Sequence, residues 1–284
     1  MAMTSHTYRA LGPHGFHRVH YTEWGDPRNP KALICVHGMT RTGRDFDFLA
    51  AALEQEYRVI CPDVVGRGQS DWLDDKSDYT YPLYVNDMAM LLARLEAERV
   101  DWVGTSMGGL IGMALASQQG TPIRKLLLND VGPVITTQSL ERIATYVGTD
   151  PTWATFDEAM AYVRVVSAPF GKLADDQWRH LTEHSVARRP DGRWGFLYDP
   201  LIAAPFKAAF SGEPIDLWPI YEQITCPTLV VRGAESDLLR RETWQQMGSR
   251  GPRAKLAEIP GVGHAPMFLD NEQIGIARDF LLAA

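Results

Sequence analysis

The sequence predicts an α/β fold in which a mostly parallel sheet carries helices on both faces and is interrupted by a helical insertion. Three observations support this prediction. Short apolar runs alternate with helical stretches over roughly the first 130 residues, as in repeated strand–helix units. Between residues 134 and 221 the short runs stop, prolines break up the helical stretches, and four of the eight tryptophans occur. From Thr228 onwards the first rhythm returns.

The first part of the chain contains five predicted strands. Residues 17–24 are rich in β-formers and end at a Gly-Asp-Pro turn, whereas Ala32–Val36 is a continuous apolar run of the kind that is buried on both faces of a parallel sheet. The stretches between the strands have apolar residues at helical spacing. The predicted strands are 17–24, 32–36, 58–61, 100–103 and 125–128, and the predicted helices are 46–56, 84–98 and 107–119.

The rest of the chain divides into the insertion and the return of the sheet. Helices are predicted in the insertion near 140–147, 156–165, 175–188 and 199–210, with no strands between them. After it we expect strands at 228–232 and 254–259 and helices at 240–247 and 272–282. This organisation predicts one core domain made of residues 1–133 and 222–284, with a helical cap, residues 134–221, inserted into it.

Composition and charge exclude several classes of protein. The 284 residues are 45% hydrophobic and 22% charged, which is ordinary for a globular chain long enough to bury a sizeable core. The net charge of −7 disfavours a nucleic-acid binder. No apolar run is long enough for a membrane span, and the first residues do not resemble a signal peptide. Three widely spaced cysteines argue against a disulfide framework, so a reducing cytoplasm is expected, while the oligomeric state stays open.

The strongest chemical signal is the segment Gly104-Thr105-Ser106-Met107-Gly108-Gly109. It contains G-x-S-x-G directly after a predicted strand and at the start of a predicted helix. A sharp strand-to-helix turn strains the backbone of the serine and exposes its hydroxyl, and the glycines leave room for the crowded chain. Ser106 is therefore a candidate nucleophile. The alternative is an ordinary glycine-rich turn in which Ser106 caps the helix.

A serine nucleophile needs a base, and the base needs a carboxylate to orient it. His264 is the predicted base because it lies among glycines and prolines in the loop before the last helix. Asp237, which follows the predicted strand 228–232, is the preferred acid. Glu235 and Asp130 are alternatives, since all three carboxylates follow parallel strands, where such sites gather. Ser106, Asp237 and His264 have the chain order of one hydrolase architecture.

The mechanism also requires hydrogen-bond donors for a negatively charged oxygen. Met39 follows the first buried strand, and its N–H, together with that of Met107, is expected to form such an oxyanion hole. His37 lies in the same loop. Its expected role is to hold the loop that presents Met39, and contact with substrate is the alternative for this residue.

Four motifs, in this order along the chain, resemble those of the α/β-hydrolase superfamily: His37–Thr40, Asp63–Ser70, Gly104–Gly109, and Gly233…Asp237 with Gly263-His264. The resemblance covers residues 32–266. The resemblance implies an eight-stranded, mostly parallel sheet with a cap after the sixth strand. It also implies Ser106 as nucleophile, His264 as base and Asp237 as acid, with no metal and no organic cofactor.

The residue at the nucleophile position narrows the chemistry. Relatives that open epoxides or remove halogens have aspartate there, so Ser106 favours acyl transfer. We expect a serine hydrolase that cleaves a small, partly apolar carboxylic ester or lactone through an acyl-enzyme. The alternatives are a carbon–carbon bond hydrolase of diketones, an acyltransferase, and a hydrolase-fold protein that only binds a ligand. Many carbon–carbon hydrolases have asparagine where this chain has Thr105.

Two features of the insertion have competing explanations. Its aromatic residues are expected either to line an acyl pocket or to pack the cap onto the core, the candidates for substrate contact being Trp153, Phe170, Trp194 and Tyr198. His180-Leu181-Thr182-Glu183-His184 matches the inverted zinc-protease motif. Because no third ligand is evident beside it, a solvated helix face is the expected explanation.

Overall fold

The computed structural model describes residues 3–208 and 212–283, apart from the side chain of Phe206. Thirteen strands are found in these residues. They are β1 (Thr4–Gly12), β2 (Gly15–Trp24), β3 (Ala32–Val36), β4 (Arg58–Asp63), β5 (Val100–Thr105), β6 (Ile123–Asn129), β7 (Val134–Ile135), β8 (Thr152–Trp153), β9 (Val186–Arg188), β10 (Trp194–Phe196), β11 (Ile215–Asp216), β12 (Thr228–Gly233) and β13 (Lys255–Ile259).

Ten α-helices accompany these strands in the described part of the chain. They are α1 (Asp47–Leu53), α2 (Tyr81–Arg94), α3 (Met107–Ala116), α4 (Thr137–Tyr146), α5 (Phe156–Val166), α6 (Asp175–Glu183), α7 (Ala203–Ala208), α8 (Trp218–Tyr221), α9 (Arg241–Met247) and α10 (Asn271–Leu282). Short 3₁₀ turns occur at Gly43–Phe46, Lys76–Asp78, Ala168–Phe170 and Pro200–Ile202. Over residues 3–208 and 212–283, no helix is long and apolar enough to cross a membrane.

Eight of the strands form one sheet in the order β1-β2-β4-β3-β5-β6-β12-β13. Within the run β4-β3-β5-β6-β12-β13 each strand is parallel to the next, whereas β2 is antiparallel to both β1 and β4. The predicted α/β fold with a mostly parallel eight-stranded sheet is thus confirmed.

The central strands are largely apolar because both of their faces are covered. Along β3, Ile34 packs into the hydrophobic cluster on one face, whereas Leu33 and Cys35 pack into the cluster on the other. β4 alternates in the same way, with Ile60 on the first face and Cys61 on the second. Each leucine or isoleucine among these contributes roughly 1.5–3 kcal/mol when fully buried.

The structure differs from the sequence-based prediction at several elements. β1 was not predicted. The insertion, which we define as residues 134–221, was expected to lack strands, yet it contains a three-stranded sheet, β8-β10-β9, and the pair β7–β11. The helix predicted over 175–188 ends at Glu183, and the chain continues as β9. These strands are two or three residues long, too short to show a period of two.

The helix predicted over 199–210 is divided in the structure. Its first residues form the 3₁₀ turn Pro200–Ile202, which is followed by α7. Residues 209 and 210 lie outside the described residues.

The insertion contacts the loops that follow the carboxyl ends of several core strands. Leu197 O accepts the N–H of Gly68, beyond β4, at 2.7 Å, and Pro169 O accepts the N–H of Gly263, beyond β13, at 2.6 Å. The carboxyl ends of parallel strands are where ligands bind in α/β sheets. The insertion therefore covers the edge of the sheet where the predicted site residues lie.

Candidate active site

Ser106 stands at the turn between β5 and α3 in a backbone conformation that L-residues rarely adopt, with φ 53° and ψ −115°. The glycines around it are required by contact. A Cβ on Gly104 would lie 2.3 Å from Gly108 O, and one on Gly108 would lie 2.0 Å from Val36 O. The Ser106 side chain makes no capping hydrogen bond to α3. The alternative of an ordinary helix-capping serine is therefore wrong.

Ser106 is the first member of a hydrogen-bonded chain of three side chains. Its Oγ is 3.0 Å from Nε2 of His264, and Nδ1 of His264 is 2.8 Å from Oδ2 of Asp130. Since the carboxylate accepts from Nδ1, Nε2 presents its lone pair to the serine hydroxyl. Asp130 is fully buried, whereas the His264 side chain is 14% exposed. This geometry suits proton removal from Ser106 by His264.

The prediction that Asp237 pairs with His264 is wrong, because that position is taken by Asp130. Asp237 is half exposed and forms an ion pair with Arg142, whose Nη2 donates to Oδ1 at 3.0 Å. Glu235, the other alternative, lies in the loop after β12 and has its backbone N–H bonded to Val262 O in the loop after β13. Asp130, which the sequence offered as a third candidate, directly follows β6.

The loop that was expected to supply the acid instead supplies donors to it. Oδ1 of Asp130 accepts the Gly233 N–H at 2.9 Å, and Oδ2 accepts the Ser236 hydroxyl at 2.6 Å. β6 lies between β5 and β12, so its end is next to the loops that carry Ser106 and Ser236. The sequence signal for Asp130 was its place at a strand end, but the order of strands in the sheet was needed to prefer it.

The loop after β3 brings Met39 next to the serine. Among the described residues, the backbone N–H groups of Met39 and Met107 have no hydrogen-bond acceptor. The carbonyl of Met39 accepts from Nε of the buried Arg67 at 2.8 Å, which fixes the orientation of that residue. Two backbone N–H groups left free in this way are available to a negatively charged oxygen.

His37 holds this loop from inside the core. Its Nδ1–H donates to Gly38 O at 2.6 Å, and its Nε2 accepts the Val64 N–H at 2.9 Å. Burial lowers the pKa of His37 from 6.5 to about 4, so the ring is neutral, as the acceptor role of Nε2 requires. His37 lines neither of the two cavities described below, so these cavities give no support for a contact with substrate.

Ser106 and His264 open into a cavity of about 280 Å³, here called the serine cavity. The core contributes Met39 and Arg41 to its walls, and the insertion contributes Arg142 and Phe170. Much of the remaining wall is apolar or aromatic, including Ile143, Tyr146, Tyr162, Val163, Phe196, Tyr198 and Met267. The cavity thus combines an apolar lining with two guanidinium groups.

Of the four aromatic residues predicted to contact substrate, two line the serine cavity. These are Phe170 and Tyr198. Trp153 and Trp194 lie instead in a small cluster inside the insertion, where Trp153 packs edge-on against Phe196 with ring centroids 5.2 Å apart. The structure thus supports the packing explanation for these two tryptophans.

A second cavity, of about 430 Å³, adjoins the same loop and is here called the apolar cavity. Met39 lines both cavities. Most of its other lining residues are hydrophobic, among them Met107, Leu110, Met113, Ile135, Leu140, Ile202 and Ile220. This cavity provides space for uncharged parts of a ligand beside the candidate oxyanion hole.

The expectation that the histidine motif of the insertion has no third ligand is wrong. Asp47 of α1 lies beside His180 and His184, and the ligand atoms of the three are within 4.8 Å of one another. Both oxygens of Asp47 already accept from Nε of Arg44, at 2.9 and 2.8 Å, and Nε2 of His180 donates to Arg44 O at 3.1 Å. A guanidinium therefore supplies the positive charge in this cluster.

Comparisons with known proteins identify the family of the chain. A model of the alpha/beta hydrolase family matches residues 33–274. The chain is 51% identical to the 3-hydroxybutyrate-oligomer hydrolase of Cupriavidus necator over 97% of both chains. The structure of an alpha/beta hydrolase from Novosphingobium aromaticivorans matches with a TM-score of 0.88 and 36% identity, covering 99% of each chain. E-2-(acetamidomethylene)succinate hydrolase has the same fold, with a TM-score of 0.84 at 22% identity over 99% of this chain and 100% of the other. The chain therefore belongs to the alpha/beta hydrolase family.

Proposed function

We propose that this protein is a serine hydrolase that cleaves ester bonds in short linear oligomers of a 3-hydroxyalkanoate such as 3-hydroxybutyrate. The observation that carries the proposal is the hydrogen-bonded chain of Ser106, His264 and Asp130 at the wall of the serine cavity. The substrate class is suggested by the full-length relative that hydrolyses 3-hydroxybutyrate oligomers. Such oligomers are polyesters of small hydroxy acids, which suits a cavity with apolar walls.

In the proposed mechanism Ser106 Oγ attacks the ester carbonyl while Nε2 of His264 accepts its proton. Asp130 keeps the imidazole in the required tautomer and stabilises the imidazolium that forms. The N–H groups of Met39 and Met107 donate to the developing oxyanion, and removing one such donor typically costs about 3 kcal/mol. His264 then protonates the departing alcohol, and water hydrolyses the acyl-enzyme.

The test is release of monomer from the linear dimer and trimer of 3-hydroxybutyrate, followed by chromatography. We expect Ser106→Ala to lower turnover at least about a thousandfold. Ser117→Ala is the matched control, because Ser117 lies at the other end of α3, where its hydroxyl donates to Ala114 O. Equal turnover by the natural sequence and Ser106→Ala would refute the proposal.

The same preparation distinguishes the other chemistries of this family. A vinylogous 1,5-diketone reports carbon–carbon cleavage, and added methanol as acceptor reports acyl transfer through the ester product. Because methanol can intercept an acyl-enzyme as water does, the expected result is hydrolysis of the oligomer without cleavage of the diketone, and with free acid in excess of the methyl ester. Tight binding of the oligomer without turnover would instead indicate a ligand-binding protein.

A further inference from the structure

Two arginines line the serine cavity together with Ser106 and His264, but they differ in how their guanidinium groups are used. Arg41 is tied to its neighbours on every side. Its Nε and Nη2 donate to Asp45 at 2.9 and 2.6 Å, and its Nη1 donates to Ser185 Oγ at 2.7 Å. An anionic ligand would have to break these hydrogen bonds before Arg41 could bind it.

Arg142, on α4, has a partner that is easily replaced. Its ion-pair partner among the described residues is Asp237, and its guanidinium also lies over the ring of Tyr146, 6.0 Å from the centroid. The side chains of Arg142 and Asp237 are 36% and 51% exposed. An ion pair between such exposed groups contributes little to stability, because water screens it. A guanidinium offers two parallel donors that match the two oxygens of any carboxylate. A second carboxylate in the cavity can therefore take the place of Asp237.

We propose that Arg142 binds the free carboxylate of the substrate and so presents the ester bond nearest to that carboxylate to Ser106. This inference rests on the proposed hydrolysis of hydroxyalkanoate oligomers. A linear oligomer carries one charge, at its carboxyl end, and the rest of the chain consists of esters and methyl groups. The charged end forms an ion pair with Arg142, and the uncharged part packs against the apolar walls of the two cavities, both of which Met39 lines.

This arrangement determines which product leaves first. The Ser106 oxygen forms a bond to the carbonyl carbon, the bond from that carbon to the ester oxygen breaks, and His264 passes the serine proton to the departing oxygen. The carboxyl-terminal unit leaves as a free hydroxy acid, and the rest stays as the acyl group. Water then adds its hydroxyl to the acyl carbon and returns a proton to Ser106. Each cycle shortens the chain by one unit at its carboxyl end.

Binding to the inactive Ser106→Ala variant tests this role without turnover. The probes are the 3-hydroxybutyrate dimer and its neutral carboxamide, titrated calorimetrically. We expect the acid to bind at least about tenfold more tightly than the amide, as for a charge-assisted bidentate pair. Adding Arg142→Gln should weaken binding of the acid at least about tenfold and leave the amide within about twofold.

Arg164 provides the matched control for this substitution. It lies on α5, its side chain is also 36% exposed, and it also pairs with an aspartate, Asp175. It lines neither the serine cavity nor the apolar cavity. Arg164→Gln should therefore leave binding of both probes unchanged.

A second substitution acts in the opposite direction and does not alter the arginine. Asp237→Asn removes the carboxylate that competes for Arg142, so the acid should bind at least about twofold more tightly while the amide does not. This variant keeps the proposal testable if Arg142→Gln fails to fold. Equal weakening of acid and amide by Arg142→Gln, or no preference for the acid in Ser106→Ala, would overturn the role of Arg142.

The order of products supplies an independent reading. A tetramer whose hydroxyl-terminal unit is deuterated should first give unlabelled monomer and labelled trimer. Early dimers, or a labelled monomer, would contradict binding at the carboxyl end. Failure of the proposed function looks different, since the protein would then release no 3-hydroxybutyrate from any oligomer, whatever the dissociation constants of the two probes.

Discussion

At the scale of single residues, the carboxylate of Asp130 is the most constrained group of the site. It is fully buried and accepts hydrogen bonds from His264, Ser236 and the backbone of Gly233. Removing a buried partner leaves each of these donors unsatisfied, which costs more than the hydrogen bond itself contributes. The exposed Asp237, by contrast, pairs with an arginine whose side chain is itself 36% exposed.

We expect Asp130→Asn and Asp237→Asn to have opposite outcomes on a neutral ester such as p-nitrophenyl butyrate. Asparagine at 130 can donate to Nδ1 and so favours the wrong imidazole tautomer, which should lower kcat about 10⁴-fold. Asp237→Asn should keep kcat within about twofold. Steady-state rates of both variants check this, and the reverse pattern would restore Asp237 as the acid.

The buried ring of His37 predicts a dependence of stability on pH. Its pKa is about 4 in the folded chain, because burial disfavours the charged ring, and 6.5 is its ordinary value. The folded state therefore binds fewer protons, so its stabilising contribution is complete above pH 6.5 and is lost as the pH falls from 6.5 to 4. The loss amounts to about 3 kcal/mol.

Urea unfolding at several pH values measures this effect as a difference between proteins. His184 is half-buried, and its pKa is also lowered to about 4 by partial burial and by the nearby charge of Arg44, so it titrates in the same pH range in the natural sequence and in the variant. Comparing the natural sequence with His37→Gln cancels that contribution. The free energy of unfolding should fall less steeply below pH 6.5 in His37→Gln, and identical slopes would show that His37 does not titrate as expected.

At the scale of elements, the turn between β5 and α3 depends on glycines that have no space for a side chain. Gly104→Ala would place a Cβ 2.3 Å from the backbone oxygen of Gly108, which cannot move away as a flexible side chain could. We expect a loss of at least about 3 kcal/mol in the free energy of unfolding. Gly275→Ala, in α10, meets no atom within 4 Å and should gain up to about 1 kcal/mol. Similar stabilities for the two variants in urea would contradict this account.

This turn also shows why part of the site could be predicted from the sequence and part could not. The backbone of Ser106 is constrained by residues within a few positions of it, such as Gly104 and Gly108. The motif Gly104–Gly109 contains these residues, so the turn could be predicted from it. The choice of Asp130 over Asp237 depends on β6 lying between β5 and β12, which is a property of the sheet.

The remaining differences concern elements that have little local signal. Strands β8 and β9 are two and three residues long and are held by pairing with β10. Their neighbours in space therefore specify them more than their own patterns do. The long apolar strands, such as Ala32–Val36, were predicted because burial on both faces leaves a continuous hydrophobic run.

At the scale of the whole molecule, the insertion and the core are joined so closely that neither forms the serine cavity alone. The backbone of residues 197–199 bonds to that of residues 66–68, with Asp199 N 2.8 Å from Gly66 O. The buried carboxylate of Asp199 accepts from Lys76 at 2.6 Å and from the Tyr79 hydroxyl at 2.8 Å, which fastens the insertion to the segment before α2. Such ties favour cooperative unfolding of both parts.

We therefore expect one unfolding transition in urea, with the same midpoint by tryptophan fluorescence and by circular dichroism. The fluorescence reports on Trp153 and Trp194 of the insertion as well as on the core, and the circular dichroism reports mainly on the helices. Asp199→Ala should lower both midpoints together. The free energy of unfolding should fall by about 2–3 kcal/mol, because Lys76 and Tyr79 lose a buried partner. Asp75→Ala is the matched control. Asp75 and Asp199 each accept from a backbone N–H at the start of a short 3₁₀ turn, but Asp75 is exposed, so its replacement should move the midpoints much less. The contrary result is a fluorescence transition at lower urea than the loss of helical signal, with Asp199→Ala shifting only the fluorescence midpoint. The insertion would then unfold separately, and its contacts with residues 66–79 would not couple it to the sheet.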